Sequence, residues 1–238
     1  MRVAALIPAR NEADRIAATV LAVSCLESVV GCIVIDDASR DETERCAREA
    51  GAVVGRLPFN QGKGAALNHG CKMLETLAPF GPLESLDAVL LIDADLASSA
   101  EQAVVLVSAL GEGVDMAIAG FPPAAGKAGF GMVKSLAHQA ILELGGFDAQ
   151  SPLSGQRALT IPCLKAVRPF ADGFGVEVDM SIRALWAGMY LVEVPTTMTH
   201  RASGSNLRGF MHRGRQFFDV DRTVRKLVKE QKRLSQRR

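Results

Sequence analysis

Two apolar runs that end in aspartates constrain the fold more than any other feature of this chain. The first is Val34-Ile35-Asp36-Asp37, and the second is Leu90-Leu91-Ile92-Asp93-Ala94-Asp95. Such runs are typical of strands that are buried on both faces, which occur in parallel sheets covered by helices. Because open α/β sheets bind their ligands at the carboxyl ends of the strands, the aspartates indicate a ligand site at that edge.

The rest of the chain alternates between strand and helix patterns, which predicts a single α/β domain with a mostly parallel sheet flanked by helices. The length of 238 residues suits one large domain of this kind. Strands are predicted at 3–7, 32–35, 52–54, 88–92, 115–119, 157–161 and 190–194. Helices are predicted at 11–24, from 39, 63–77, 98–110, 132–144, 176–187 and through the tail after 205.

Two of these helix starts are predicted from capping boxes, which begin at Ser39 and at Ser98 and carry Glu three residues later. The segment 120–131 is rich in Gly, Pro and Ala and has no apolar period. It predicts a mobile loop beside the site.

The net charge of +1 hides an asymmetry, because residues 201–238 carry twelve Lys and Arg against three Asp and Glu. We therefore divide the chain into a domain at 1–204 and a basic helical tail at 205–238. Val224, Leu227 and Val228 fall on one face of that tail. The tail could contact an anionic membrane surface or a phosphorylated substrate, or it could be a solvated helix end.

The five cysteines are odd in number and lack C-x-x-C spacing, which favours reduced thiols. No window of eighteen apolar residues occurs, so we expect no membrane span. These features predict a cytoplasmic protein whose tail could reach the inner membrane face. No nucleic acid partner is expected.

The Asp-x-Asp step is the strongest local signal, since it suits a hard divalent cation that holds a phosphorylated ligand. Asp95 could bind the metal directly, while Asp93 serves a ribose or a metal-bound water. The alternative is a pair of exposed loop aspartates. A diphosphate leaving group needs such a cation, because its developing charge must be neutralised.

Three further segments could bind a nucleotide. Pro8-Ala9-Arg10-Asn11-Glu12 follows the first strand, where a helix start would offer backbone amides. Asn60-Gln61-Gly62-Lys63-Gly64 offers glycines for close approach and a cation for phosphate or carboxylate. Asp37 could accept hydrogen bonds from a base or ribose, whereas Asp36 could either do the same or cap the next helix.

In order and spacing, these four segments resemble the family 2 glycosyltransferases of the GT-A fold. The resemblance implies a nucleotide-diphosphate sugar donor and Mg²⁺ or Mn²⁺ on Asp95. The residues implied to bind the donor are Pro8, Ala9, Arg10, Asn11, Glu12, Asp37, Gly62, Lys63, Asp93 and Ala94.

The second half is similar to polyprenyl-phosphate sugar transferases and to glucosyl-3-phosphoglycerate synthases. The matching segments are Ser154-Gly155-Gln156-Arg157-Ala158-Leu159, Gly173-Phe174-Gly175-Val176-Glu177-Val178-Asp179 and His200-Arg201. This similarity implies that Ser154, Gly155, Gln156 and Arg201 bind the acceptor. It also implies a metal ligand at His200, for which a structural role is the alternative.

Glu177 is the candidate for the catalytic carboxylate that faces the sugar, together with Asp95. It stands at the start of a predicted helix, whose dipole favours the ionised form. An ionised carboxylate suits a proton acceptor, and plain stabilisation of the helix is the alternative.

We therefore expect a metal-dependent glycosyltransferase that moves a sugar to a phosphorylated acceptor, either a polyprenyl phosphate or a small metabolite. A sugar-phosphate nucleotidyltransferase is an alternative, but the glycine-rich first loop is missing. A non-catalytic nucleotide-binding module resembling a receiver domain is another. It needs an acidic pair after the first strand, where this chain has Pro8-Ala9-Arg10.

Overall fold

A seven-stranded sheet forms the centre of the computed structural model, which describes residues 1–76, 83–111, 113–121, 130–199 and 207–236. Its strands are β1 (Val3–Ala9), β2 (Val29–Asp36), β3 (Val53–Arg56), β4 (Ala88–Leu91), β5 (Met116–Gly120), β6 (Arg157–Thr160) and β7 (Leu191–Pro195). They lie in the order β3-β2-β1-β4-β6-β5-β7. Of these strands only β6 is antiparallel to its neighbours, so the predicted mostly parallel α/β sheet is confirmed.

Helices cover both faces of the sheet. They are α1 (Ile16–Ser24), α2 (Thr43–Glu49), α3 (Lys63–Thr76), α4 (Val104–Ala109), α5 (Phe130–Gly145), α6 (Ile161–Val167), α7 (Val176–Trp186) and α8 (Leu207–Ser235). Short 3₁₀ helices occupy Leu83–Ser85, Ala97–Ala103 and Gly173–Gly175. In the described part of the chain, no helix is long and apolar enough to cross a membrane.

The continuous apolar runs arise because alternate side chains of each central strand enter different cores. In β1, Val3, Ala5 and Ile7 belong to one hydrophobic cluster, while Ala4 and Leu6 belong to the cluster on the opposite face. All five are fully buried. A strand that is covered on both faces has no polar side, which explains why its sequence does not alternate.

The reversed direction of β6 determines which segment of the chain lies beside the aspartates that follow β4. Its first residue, Arg157, pairs with Leu91, the last residue of β4. The amino end of β6 therefore lies beside the carboxyl end of β4. As a result, the segment that precedes Arg157 lies close to Asp93.

Three predicted helix starts are wrong, and at two of them side chains that should cap locally bind distant backbone instead. Helix α1 begins at Ile16 rather than at residue 11, and Asn11 has a left-handed φ of 56°. Helix α2 begins at Thr43, since Ser39 Oγ accepts a hydrogen bond from Asn11 N at 2.9 Å rather than capping its own segment. The predicted box at Ser98 is likewise absent, and a 3₁₀ helix without a side-chain cap stands there.

Helix α8 packs on the domain through its apolar side. Val220 and Leu227 are fully buried in a cluster with residues of α5 and α7. Gly175 lies so close to Thr223 that an added Cβ would overlap its hydroxyl oxygen. Of the apolar stripe that the sequence predicts on the tail, Leu227 is therefore buried and Val224 is partly buried against the same cluster. Residues 122–129, the middle of the predicted mobile loop, lie outside the described residues.

Candidate functional site

Two adjoining cavities open at the carboxyl rim of the sheet. The larger has a volume of about 1120 Å³ and the smaller about 460 Å³. Both are lined by Pro8, Arg10, Lys63, Asp93 and Phe174, so they form one continuous cleft. The rim predicted from the two acidic runs thus carries a large cleft.

Three charged side chains form the centre of the cleft. Lys63 Nζ lies 2.6 Å from Asp93 Oδ1 and 2.8 Å from Glu177 Oε1. Burial opposes the charge on Lys63, but the two carboxylates outweigh it and raise the pKa of Lys63 above the ordinary lysine value. The ammonium predicted to meet a phosphate is therefore held by carboxylates in this structure. It joins the Asp-x-Asp segment to the start of α7.

The segment 154–156 supports Asp93 from behind. Gln156 Nε2 donates to Asp93 Oδ2 at 2.7 Å, and a Cβ on Gly155 would overlap Lys63 Nζ. Ser154, Gly155 and Gln156 are all buried, and none of them lines either cavity. In this structure they support Asp93, and their predicted role in acceptor binding stays a prediction.

Helix α1 holds the Asp-x-Asp turn in place. The hydroxyl of Thr19 donates to the carbonyl of Ala94 at 2.9 Å and accepts from the amide of Ala97 at 2.8 Å. Arg15 Nη1 donates to the carbonyl of Asp95 at 3.0 Å. These bonds orient the turn so that Ala94 and Asp95 line the smaller cavity.

Asp95 and Glu177 both line the smaller cavity, as does Lys63. Both oxygens of Asp93 already accept hydrogen bonds, from Lys63 and from Gln156. Across the described ranges, no three His, Cys, Asp or Glu side chains converge on one point. The described site therefore offers the carboxylate of Asp95, which fits Mg²⁺ or Mn²⁺ when substrate phosphates and water supply the other oxygens.

Two of the predicted site residues cannot be placed. His200, the predicted further metal ligand, and Arg201, the predicted acceptor residue, lie outside the described residues. Their roles remain predictions.

Asp37 anchors the loop that precedes α3. Its two oxygens accept from the amides of Gln61 and Gly62 at 2.7 and 2.8 Å. Gly62 has a φ of 87°, which favours glycine at this position. Asp37 and Gly62 both line the larger cavity. Each oxygen of Asp37 keeps a further lone pair, so a ligand contact is compatible with the anchoring role.

For Asp36 the structure favours the local alternative. Its Oδ1 accepts from the amide of Ser39 at 2.9 Å, and its Oδ2 lies 3.1 Å from Arg56 Nη1. The side chain is completely buried and lines neither cavity. It stabilises the turn after β2.

The segment after β1 meets the cleft through its first residues and Glu12. Pro8, Ala9 and Arg10 line the larger cavity, and Glu12 lines the smaller. The expected amide donors at 11–13 are not available, because the side chains of Ser39, Thr43 and Asp41 bind them. Asn11 Oδ1 in turn accepts from the amide of Arg40. Asn11 is thus a loop residue that lines neither cavity.

A family profile identifies the class of protein that carries this cleft. The profile described as Glycosyl transferase family 2 matches residues 4–172, which include β1, β2, β4 and the Asp-x-Asp turn. The chain belongs to glycosyl transferase family 2. The predicted family and the predicted GT-A type of fold are both confirmed.

Relatives of this family 2 chain are found by sequence and by structure. Glycosyltransferase AglJ of Haloferax volcanii is 31% identical over 205 residues, which are 84% of this chain and 64% of that protein. A crystal structure of glucosyl-3-phosphoglycerate synthase from Mycobacterium tuberculosis with Mn²⁺, uridine-diphosphate-glucose and phosphoglyceric acid is 26% identical, with a TM-score of 0.73. That match covers 95% of this chain and 79% of the synthase chain. The same synthase with Mg²⁺ and uridine diphosphate also gives a TM-score of 0.73.

Arg157 stands in a segment that the sequence matched to other sugar transferases, but no role was predicted for it in this glycosyltransferase family chain. Its guanidinium is fully buried, and burial lowers the pKa to about 10. Nε donates to the carbonyl of Ser154 at 2.8 Å, and Nη1 donates to Ser181 Oγ at 2.9 Å. Arg157 therefore joins the segment behind Asp93 to α7, which carries Glu177. A buried arginine at the first residue of a strand leaves no local sequence signal.

Arg15 and Thr19 were also missed. Both lie on one side of a predicted helix, at a spacing of four residues, which could have marked a polar contact face. The partners are backbone groups some eighty residues away, at Ala94, Asp95 and Ala97. Such partners cannot be read from the sequence.

Proposed function

We propose that this protein transfers a sugar from a nucleotide-diphosphate sugar to a phosphorylated acceptor, with Mg²⁺ or Mn²⁺ as cofactor. The observation that carries the proposal is the continuous cleft, in which Asp95 and Glu177 adjoin the loops of Asp37 and Gly62. Family membership favours sugar transfer over the nucleotidyltransferase and the non-catalytic module. The structural relatives bind uridine diphosphate with Mn²⁺ or Mg²⁺, which supports the choice of donor and cofactor.

In this proposal the nucleotide lies in the larger cavity and the sugar in the smaller one. Pro8, Arg10 and Asp37 would contact the nucleotide, with Gly62 allowing close approach of the backbone. Asp95 would hold the cation, which neutralises the charge that develops on the departing diphosphate. The turn held by Thr19 and Arg15 keeps Asp95 oriented before the donor arrives.

Glu177 would accept the proton of an acceptor hydroxyl. Only 9% of its side chain is exposed, and the contact with Lys63 at 2.8 Å orients the carboxylate. A carboxylate held in this way can receive a proton without reorganisation. An acceptor that attacks through an anionic phosphate oxygen needs no such base, so the effect of Glu177→Gln reports which atom attacks.

A small phosphorylated metabolite is the acceptor that we favour over a polyprenyl phosphate. Val220 and Leu227 of α8 are buried against α5 and α7, and Val224 is partly buried there, which leaves these side chains unable to enter a membrane. One of the structural relatives was crystallised with phosphoglyceric acid, a small phosphorylated molecule.

Substitution of Asp95 tests the proposal. We expect Asp95→Ala to lower sugar transfer about 10³-fold, because the cation would lose its protein ligand. The matched control is Asp148→Ala, since the Asp148 side chain is 69% exposed and lines neither cavity. The measurement is product formation from a panel of sugar nucleotides with and without Mn²⁺, together with the melting temperature. Full turnover by Asp95→Ala would refute the role of the metal.

Ligand binding gives a second readout that does not require the correct acceptor. A donor at about 100 times its dissociation constant should stabilise the folded state by about 2.7 kcal/mol. We expect this stabilisation with a nucleotide-diphosphate sugar plus Mn²⁺ and a smaller one when EDTA replaces the metal. A panel that stabilises nothing would argue against a sugar-nucleotide donor.

A further inference from the structure

The wall of the larger cavity opposite the nucleotide loops is a basic face of α8. Arg222, Lys226, Lys229 and Arg233 all line that cavity. Their spacings of four, three and four residues place them on one side of a helix. We call these four residues the α8 cationic stripe.

The orientation of this stripe is fixed by contacts on the other sides of the helix. Val220 and Leu227 are buried among residues of α5 and α7. Glu230 forms an ion pair with Arg183 of α7 at 3.0 Å, and Asp219 Oδ2 accepts from the amide of Phe174 at 3.3 Å. Because these contacts fix the rotation of α8 about its axis, the stripe faces the cleft.

The acidic residues of α8 make their hydrogen bonds and ion pairs with groups outside the stripe. Asp219 is hydrogen-bonded to Phe174, Asp221 pairs with Arg225 at 2.7 Å, and Glu230 pairs with Arg183. Among the described residues, no carboxylate forms an ion pair with a member of the stripe. Four cations therefore line one cavity without a short ion pair to a described carboxylate, although, besides Arg183, Lys226 and Arg233 lie near enough to Glu230 to lower its pKa.

We propose that the α8 cationic stripe binds phosphate groups of a substrate inside the cleft. Lysine and arginine are the side chains that bind phosphate most strongly in proteins. The cavity of about 1120 Å³ is larger than the roughly 300–1,000 Å³ of ordinary small-molecule sites. It therefore has room for a nucleotide on the loops of Asp37 and Gly62 and for a further phosphate on α8.

This inference rests on the proposed function, which supplies the phosphorylated ligands. Two of these ligands carry the required phosphate groups. The phosphate could belong to the donor or to the acceptor. The distinction matters, because a stripe that binds the donor would help to hold the leaving group. A stripe that binds the acceptor would contribute to the specificity for the acceptor.

The test is a charge-neutralising double variant, Lys226→Gln with Lys229→Gln. Its matched control is Lys72→Gln with Lys232→Gln, since both control lysines are exposed, carry the same charge and line neither cavity. Isothermal titration of the full chain would use uridine diphosphate with Mn²⁺, phosphoglyceric acid, and uridine as a probe without phosphate. We expect the stripe variant to weaken one phosphate probe by about tenfold, with uridine unchanged and the control within about twofold of wild type.

A selective loss of uridine diphosphate binding would assign the stripe to the donor, and a selective loss of phosphoglyceric acid binding would assign it to the acceptor. Equal weakening in both double variants, or no weakening in either, would overturn the inference. So would failure of the wild-type protein to bind either phosphate probe.

Turnover separates this inference from the proposed function. If sugar transfer depends on Asp95 but the stripe variant binds both phosphate probes as wild type does, the proposed function is supported and the inference about the stripe is refuted. If phosphate binding depends on the stripe but the protein transfers no sugar, the inference about the stripe is supported and the proposed function is refuted. All four substituted lysines are exposed, so the melting temperatures should remain within a few degrees of wild type.

Discussion

Gly155 is a position where a very small change should have a large effect on the site. It lies against the ion pair of Lys63 and Asp93, and its φ is outside the left-handed region. Alanine can therefore adopt the backbone conformation, so that any effect of Gly155→Ala must come from the contacts of one added methyl group.

The contact distances give the size of the effect. The new Cβ would overlap Lys63 Nζ and would lie 2.7 and 2.9 Å from the two oxygens of Asp93, whereas ordinary contacts begin near 3.4 Å. The carboxylate must therefore retreat by 0.5 to 0.7 Å and the ammonium by more. Lys63 cannot move so far and keep its contacts of 2.6 and 2.8 Å with Asp93 and Glu177.

We expect this overpacking to cost about 1–3 kcal/mol of unfolding free energy. A displacement of about 1 Å in catalytic groups commonly costs about 10²-fold in turnover. Urea unfolding and sugar transfer measure the two effects. The control is Gly131→Ala in α5, where an added Cβ meets nothing within 4 Å and alanine should stabilise the helix by about 0.5–1 kcal/mol. Wild-type stability and turnover in Gly155→Ala would refute the reasoning.

Two other predictions concern groups that are buried around the site. Thr19→Val leaves two backbone groups of the Asp-x-Asp turn without their hydrogen bonds. It should lower the unfolding free energy by about 2–3 kcal/mol. The control Thr76→Val, on an exposed residue, should change the unfolding free energy little. Equal urea midpoints for the two variants would contradict this prediction. Burial raises the pKa of Cys71 and of Cys163 to about 12, so at pH 8 both should resist iodoacetamide in the folded protein, while the exposed Cys25 reacts. Peptide mapping by mass spectrometry checks the order, and rapid labelling of Cys71 before unfolding would show that its core opens readily.

The sheet could be predicted because its central strands carry their own signals. Runs such as 32–35 and 88–92 are short, continuously apolar and followed directly by aspartates, so both the strands and the acidic rim follow from the sequence. The reversal of β6 could not be predicted, because strand direction depends on pairing with β4 and β5 rather than on local composition. Helix α6 was missed for a related reason. It begins directly after β6 and spans only Ile161–Val167, with Thr160 accepting from the amide of Cys163.

The site could be predicted in its acidic residues but not in their partners. Asp93, Asp95, Lys63 and Glu177 were all named from motifs, and the structure brings them together in one cleft. Their ion pairs depend on how α3 and α7 dock, which no short motif encodes. The predicted helix starts were wrong for a different reason, because their local sequence patterns were misleading. Ser39 fits a local capping pattern, yet it binds an amide 28 residues earlier in the chain, because tertiary contacts override local preference.

The order in which these segments occur along the chain has a consequence for the synthesis of the protein. The floor of the cleft comes from the first hundred residues, whereas the support behind Asp93 arrives 63 residues later with Gln156. The opposite wall arrives only with Arg222 to Arg233. Since chains emerge from the ribosome amino end first, the sheet can assemble while the pocket is still open on one side. A nascent chain should therefore gain the phosphate contacts that we propose for α8 later than those of the nucleotide loops.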